Sequence, residues 1–259
     1  SHFAALKNSK TVILKDDEYD VFGDGTVIIK PAPGHTPGHQ VLFLKLAKTG
    51  PVLLAGDLTD TGQPEEARVL ARELSMLRVP GVAVLGNHDF ESGRQEEVSH
   101  ILSDTGLTML DGEACEVNGI GIAGVKGFAG GFGTAALGPW GEPTIKQFVH
   151  EAVNEALKLE ASLARLRSAK QIVLLHYSPI RQTVEGEPLE IYPYVGSSRL
   201  EEPISRFPVS LVVHGHAHRG RHEGRTKNDV PVYNVSLPLL QRTFPGRQPF
   251  LVLEVAVDA

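Results

Sequence analysis

The chain has 259 residues, is 41% hydrophobic and 22% charged, and carries a formal net charge of −6. That length can bury a large core, and the composition is that of an ordinary globule. The acidic balance argues against a nucleic-acid polymer as partner, and no apolar run approaches the roughly 18 residues that mark a bilayer-spanning helix, so no membrane association is expected.

Residues 1–56 read as β structure. Thr11–Lys15, Thr26–Lys30, Gln40–Leu46 and Val52–Ala55 are short apolar or alternating runs. Gly23-Asp24-Gly25 and Lys48-Thr49-Gly50-Pro51 supply turns between them. From Asp57 onward the rhythm changes to strands alternating with helices. Pro64–Arg78 opens with Pro and two Glu, which suits a helix start, and carries Val69, Leu70, Leu74 and Leu77. Val82–Leu85 reads as a buried strand, Arg94–Ser103 as a second helix and Ile120–Val125 as another strand. Lys126–Pro143 is rich in Gly and holds the sole Trp, Trp140; it is either an irregular surface loop or a lid facing a substrate. Thr144–Ala169 places Ile145, Phe148, Val149, Ala152, Val153, Ala156 and Leu159 at helical spacing and is the longest helix expected. Gln171–Leu175, Val209–Val213, Pro231–Val235 and Phe250–Val255 are expected as strands. Cys115 is the single cysteine, so it offers neither an internal disulfide nor a Cys-type zinc site, and a cytoplasmic setting fits it.

Four of these apolar runs end in residues able to bind a metal. Asp57 follows Val52–Ala55; Asn87, His88 and Asp89 follow Val82–Leu85; His176 follows Ile172–Leu175; His214, His216 and His218 follow Leu211–Val213. The first two runs flank one helix, the pattern of a βαβ unit with parallel strands. Neighbouring strands lie about 5 Å apart, and ligand sites in open α/β sheets collect at their C-terminal edge. Imidazole, amide and carboxylate donors without thiolate suit zinc, manganese or iron.

The series Gly-Asp-Leu-Thr-Asp-Thr-Gly (56–62), Gly-Asn-His-Asp (86–89), His176 and Gly-His-Ala-His (215–218) resembles a binuclear metallophosphoesterase of the calcineurin-like superfamily. The resemblance implies an α/β four-layer αββα sandwich, with two central β-sheets flanked by helices. It implies that Asp57 bridges two divalent ions (manganese, iron or zinc), that Asn87, His176 and His216 complete one metal site, and that His218 serves the other. It gives His88 the contact with the phosphoryl group and protonation of the leaving group, with Asp89 orienting His88. The implied activity is hydrolysis of a small phosphate ester, a phosphodiester above all, by hydroxide generated at two metals.

Upstream, Pro-Gly-His-Thr-Pro-Gly-His (33–39) and Pro-Val-Leu-Leu-Ala-Gly-Asp (51–57) resemble the middle of a metallo-β-lactamase-fold hydrolase near its lactonase branch. The opening metal motif of each family, Asp-x-His or His-x-His-x-Asp-His, is missing from residues 1–56. His35, at the apex of a Gly- and Pro-rich bend, is the expected substitute, holding one ion together with Asp57 and His218. The chain is then one composite domain, 1–259, made of a lactamase-like β segment (1–56) and a phosphoesterase-like segment (57–259). A recombination junction near Gly56–Leu58 fits this pattern. The alternatives are a hydrolase of lactones or thioesters, and a folded chimera with little or no activity.

Overall fold

The computed structural model describes residues 19–20, 27–31, 40–44, 51–75 and 79–255. The expected strand Thr11–Lys15 and the bend carrying His35 lie outside the described residues. Strands β1 (Tyr19–Asp20), β2 (Val27–Pro31) and β3 (Gln40–Leu44) pair antiparallel in that order.

After β4 (Val52–Ala55) the chain turns through Asp57 into α1 (Pro64–Leu74). Pro64 sits at the start of α1, and the Glu66 carboxylate accepts the backbone N–H groups of Gln63 (3.1 Å) and Thr61 (3.0 Å), satisfying donors that the helix itself cannot. There follow β5 (Gly81–Val84), a 3-10 turn at His88–Phe90, α2 (Gln95–Ser103) and β6 (Thr108–Met109). β4, β5 and β6 form a parallel sheet, with Leu54 opposite Ala83 and Ala55 opposite Val84.

The second half supplies β7 (Glu113–Val117), β8 (Ile120–Val125), α3 (Pro143–Arg165), β9 (Lys170–Leu175) and two short helices, α4 (Tyr192–Val195) and α5 (Glu201–Ile204). It continues with β10 (Val209–His214), β11 (Glu223–Arg225), β12 (Pro231–Asn234) and α6 (Leu237–Thr243). The six strands order as β11-β12-β10-β9-β8-β7. Its inner four are parallel and the two edge strands antiparallel.

Packing gives the layers. Val82 and Val84 of the smaller sheet, with Leu110 just past β6, meet Ile122, Ile172, Leu174, Leu211 and Val213 of the larger one in a shared core. Ala67, Leu74, Val98 and Leu102 cover the outer face of the smaller sheet from α1 and α2. Leu159, Leu163 and Ile204 cover the larger sheet from α3 and α5, against Ala123, Val173 and Val212. β5, β8, β9 and β10 are thus buried on both faces, which is why they read as nearly continuous apolar runs rather than alternating ones. This is the α/β sandwich of two sheets flanked by helices that the resemblance implies.

Two sequence expectations change. Residues 250–255 form no strand. Leu253 and Val255 pack against the inter-sheet core without joining a hydrogen-bonded ladder, so apolar burial alone accounts for their pattern. β6 and β7, absent from the sequence reading, are short or mostly half-exposed and carry little apolar periodicity.

Candidate metal centre

The C-terminal ends of β4, β5, β9 and β10 converge, two from each sheet. Two glycines permit the approach. A Cβ on Gly56 would collide with the His176 ring, and Gly56 has φ +82°, a region open to glycine; a Cβ on Gly86 would strike the Asp57 carboxylate and backbone nitrogen. Asp57 and His216 themselves occupy the left-handed region, at φ 50° and 66°. Non-glycine residues hold that conformation at a cost, and it persists only where the surroundings enforce it.

One ligand-capable group from each of Asp57, His176 and His216 lies within 4.8 Å of the others. The Asn87 amide oxygen joins them, 2.9 Å from His176 Nε2, and Asp57 Oδ1 is 3.3 Å from the same nitrogen. His176 Nδ1 faces the Ala55 carbonyl at 2.8 Å, and a carbonyl only accepts, so Nδ1 carries the proton. Nε2 of the neutral ring then turns a lone pair toward two oxygens. Protonating Nε2 would relieve that repulsion, but burial pushes the His176 pKa down to about 3. A cation held among these donors would relieve it. Burial likewise depresses His216, with the neighbouring His176 adding to the effect. Both imidazoles are thus held neutral, the form that ligates metal.

Around these ligands, buried hydrogen bonds fix the turns. The carboxylate of buried Asp89 accepts the N–H groups of Gly86 (2.7 Å), Thr59 (2.8 Å) and Leu58 (3.2 Å) and the Thr59 hydroxyl (2.6 Å). Asp89 therefore clamps the turn after β5 to the turn after β4, and these four bonds go to Leu58, Thr59 and Gly86 rather than to the His88 ring that the resemblance has it orient. The Asp60 carbonyl holds His88 instead, at 2.7 Å from Nδ1, and the His88 backbone N–H donates to Asp57 Oδ1 at 3.1 Å. Partial burial alone would lower the His88 pKa, but the Asp60 carbonyl and the Asp57 and Glu91 carboxylates outweigh it and raise it. His214 is fully buried and bonds the Gly215 carbonyl and the Thr183 hydroxyl, both at 2.8 Å, supporting the following loop rather than ligating.

His218 stands outside the Asp57–His176–His216 group and lines a neighbouring cleft of about 380 Å³ with His216, Glu187, Ile191 and Arg219. His35 lies outside the described residues. Two residues near the site escaped the sequence reading. Tyr177 packs its ring 4.5 Å from that of His216, and Lys126 follows β8 at the same edge. Neither belongs to a ligand pattern; only their places, Tyr177 next to His176 after β9 and Lys126 directly after β8, marked them.

The calcineurin-like phosphoesterase family model matches residues 33–220. The chain belongs to the calcineurin-like phosphoesterase family. Such phosphoesterases use divalent metals, and the donor set and glycine-lined cradle described above fit them. Among solved structures, the phosphopantetheinyl hydrolase PptH from Mycobacterium tuberculosis superimposes with a TM-score of 0.53 at 18% identity, covering 75% of this phosphoesterase and 82% of that chain; the likeness is one of fold. A different similarity is short. The N-acyl homoserine lactonase AttM of Azorhizobium caulinodans is 50% identical over 46 residues, and that of Rhizobium radiobacter 45% identical over 56. These matches cover 18% and 22% of this chain, which spans only 18% and 21% of those relatives' length.

Proposed function

We propose that this phosphoesterase hydrolyses phosphodiesters with two divalent ions, manganese, iron or zinc, and that a small phosphate ester is its substrate. The meeting of Asp57, Asn87, His176 and His216 from four strand ends carries this reading. These residues would hold one ion, and His35, Asp57 and His218 the other. Divalent ions bound there would polarise phosphoryl oxygens and supply hydroxide near neutral pH. The chain's own residues do the rest. Asp57 lends charge, and His176 and His216 stay neutral. His88 gives its Nδ1–H to the Asp60 carbonyl, which directs proton exchange to Nε2, and its raised pKa suits donation to a departing alkoxide. Asp89 keeps the two ligand-bearing turns in register.

The short AttM similarity favours a second reading, a lactone hydrolase built partly on lactonase-like sequence, and with it a recombined origin near Gly56–Leu58. One assay separates the two. Metal-supplemented protein is offered bis(p-nitrophenyl) phosphate, p-nitrophenyl phosphate and an acyl homoserine lactone. Phosphodiester turnover that disappears in Asn87→Ala supports the first reading; lactone turnover that survives Asn87→Ala supports the second. Metal counting on His35→Ala tests the second ion site, since unchanged two-ion occupancy removes His35 from it.

A further inference from the structure

Lys126 places its ammonium among aromatic rings beside the centre. Its Nζ lies over the rings of Phe128 (5.0 Å), Phe90 (5.1 Å) and Tyr177 (5.3 Å) and donates one hydrogen bond, to the Gly127 carbonyl at 2.9 Å. No ion pair joins it to a carboxylate among the described residues. Buried Glu155 is committed elsewhere: it accepts the Gly127 N–H at 2.7 Å and pairs with Lys158 at 2.8 Å, and Lys158 also holds Asp111. An ammonium has three donors. Aromatic faces attract it, but they leave the other donors without an acceptor. A half-buried cation without an anion is costly to the fold.

The place of this cation gives it a use. The Lys126 carbonyl accepts the N–H groups of His176 and Tyr177, both at 3.0 Å, so its backbone is tied to the segment that supplies a metal ligand. Tyr177, one wall of the cage, also packs on His216, and Phe90, another wall, ends the turn that carries His88.

We propose that Lys126 forms an anion subsite of this centre, in which Nζ takes a charged non-bridging oxygen of the substrate's phosphoryl group. The three rings hold the ammonium in place without neutralising it, as a carboxylate would. The inference rests on the phosphoester reading of the site. The test titrates inorganic phosphate calorimetrically into metal-loaded wild type, K126M and K126R, with metal content equalised by elemental analysis. It also measures KM and kcat on bis(p-nitrophenyl) phosphate. A lost charge-assisted hydrogen bond predicts about tenfold weaker phosphate binding and a raised KM in K126M, with most of the loss recovered in K126R. A purely structural lysine would lower the melting temperature of K126M and leave phosphate affinity unchanged, and that result overturns the proposal, as does a wild type that binds no phosphate. K126Q repeats the measurement should K126M fail to fold. Turnover with a KM indifferent to both neutral variants would sink the subsite and spare the phosphoester reading. Lys126-dependent phosphate binding without turnover of either phosphate ester would do the reverse.

Discussion

At Asp89 a carboxylate that the sequence places beside a candidate catalytic histidine turns out to hold two backbone turns together. Four donors point at it from Leu58, Thr59 and Gly86. Asp89→Ala would leave them buried and unpaired, and hydrogen bonds to a charged group are worth about 1.5–3 kcal/mol each before relaxation. The expected loss is about 3 kcal/mol in denaturant unfolding, together with weaker metal binding. His88 is different: it lies outside the Asp57–His176–His216 group, and in the proposed reaction it gives a proton to the leaving group, so His88→Ala should lower turnover by about 10²–10⁴-fold, the usual range for a general acid. Metal content by elemental analysis should stay unchanged; metal loss in that variant would make His88 a ligand instead.

Among elements, the decisive feature is that β4 and β5 belong to one sheet and β9 and β10 to the other. The site straddles the sandwich, so anything that parts the sheets parts the ligands. Gly86→Ala at the end of β5 puts a methyl group against Asp57. It is expected to displace that carboxylate and reduce bound metal while secondary structure, followed by circular dichroism, persists; full occupancy in the variant would show that the turn can yield. Helix α3 reaches the same edge through Glu155, which accepts the Gly127 N–H. Glu155→Ala frees that amide, and hydrogen exchange at Gly127 should accelerate while the β8 amides keep their protection.

For the whole molecule, metal and proton act in opposite directions on one equilibrium. An ion that binds only the folded chain stabilises it, by about 2.7 kcal/mol at a hundredfold excess over its Kd. A chelator should therefore lower the melting temperature, by about 5–10 °C for a chain of this size. Acid works through buried imidazoles. Burial lowers His214 from 6.5 to about 4, so the unfolded chain binds its proton first. That contribution is complete above pH 6.5 and is lost as pH falls from there toward 4. Stability of the metal-free protein should decline across that window, with a shallower slope in His214→Gln; an equal slope would assign the decline to other groups.

The strands, the helices and the four strand ends with ligand-capable residues were legible in the sequence because they are local, whereas the αββα layering came from the family resemblance. A strand buried on both faces must be continuously apolar, and a helix start announces itself through Pro64, Glu65 and Glu66. The residue that follows such a strand is at the edge where ligands collect, wherever the strand ends up. Only the tertiary structure decided how these ends were shared between two sheets, that Asp89 clamps loops while the Asp60 carbonyl holds His88, and that residues 250–255 pack without pairing. Lys126 makes the reason plain. A lysine after a strand says nothing by itself; its meaning comes from Phe90, Phe128 and Tyr177, which are distant in sequence and become neighbours only when the sheets stack. Periodicity and capping are set by a few adjacent residues, whereas which partner satisfies a buried charge or carboxylate is settled by packing between segments that the chain order keeps apart.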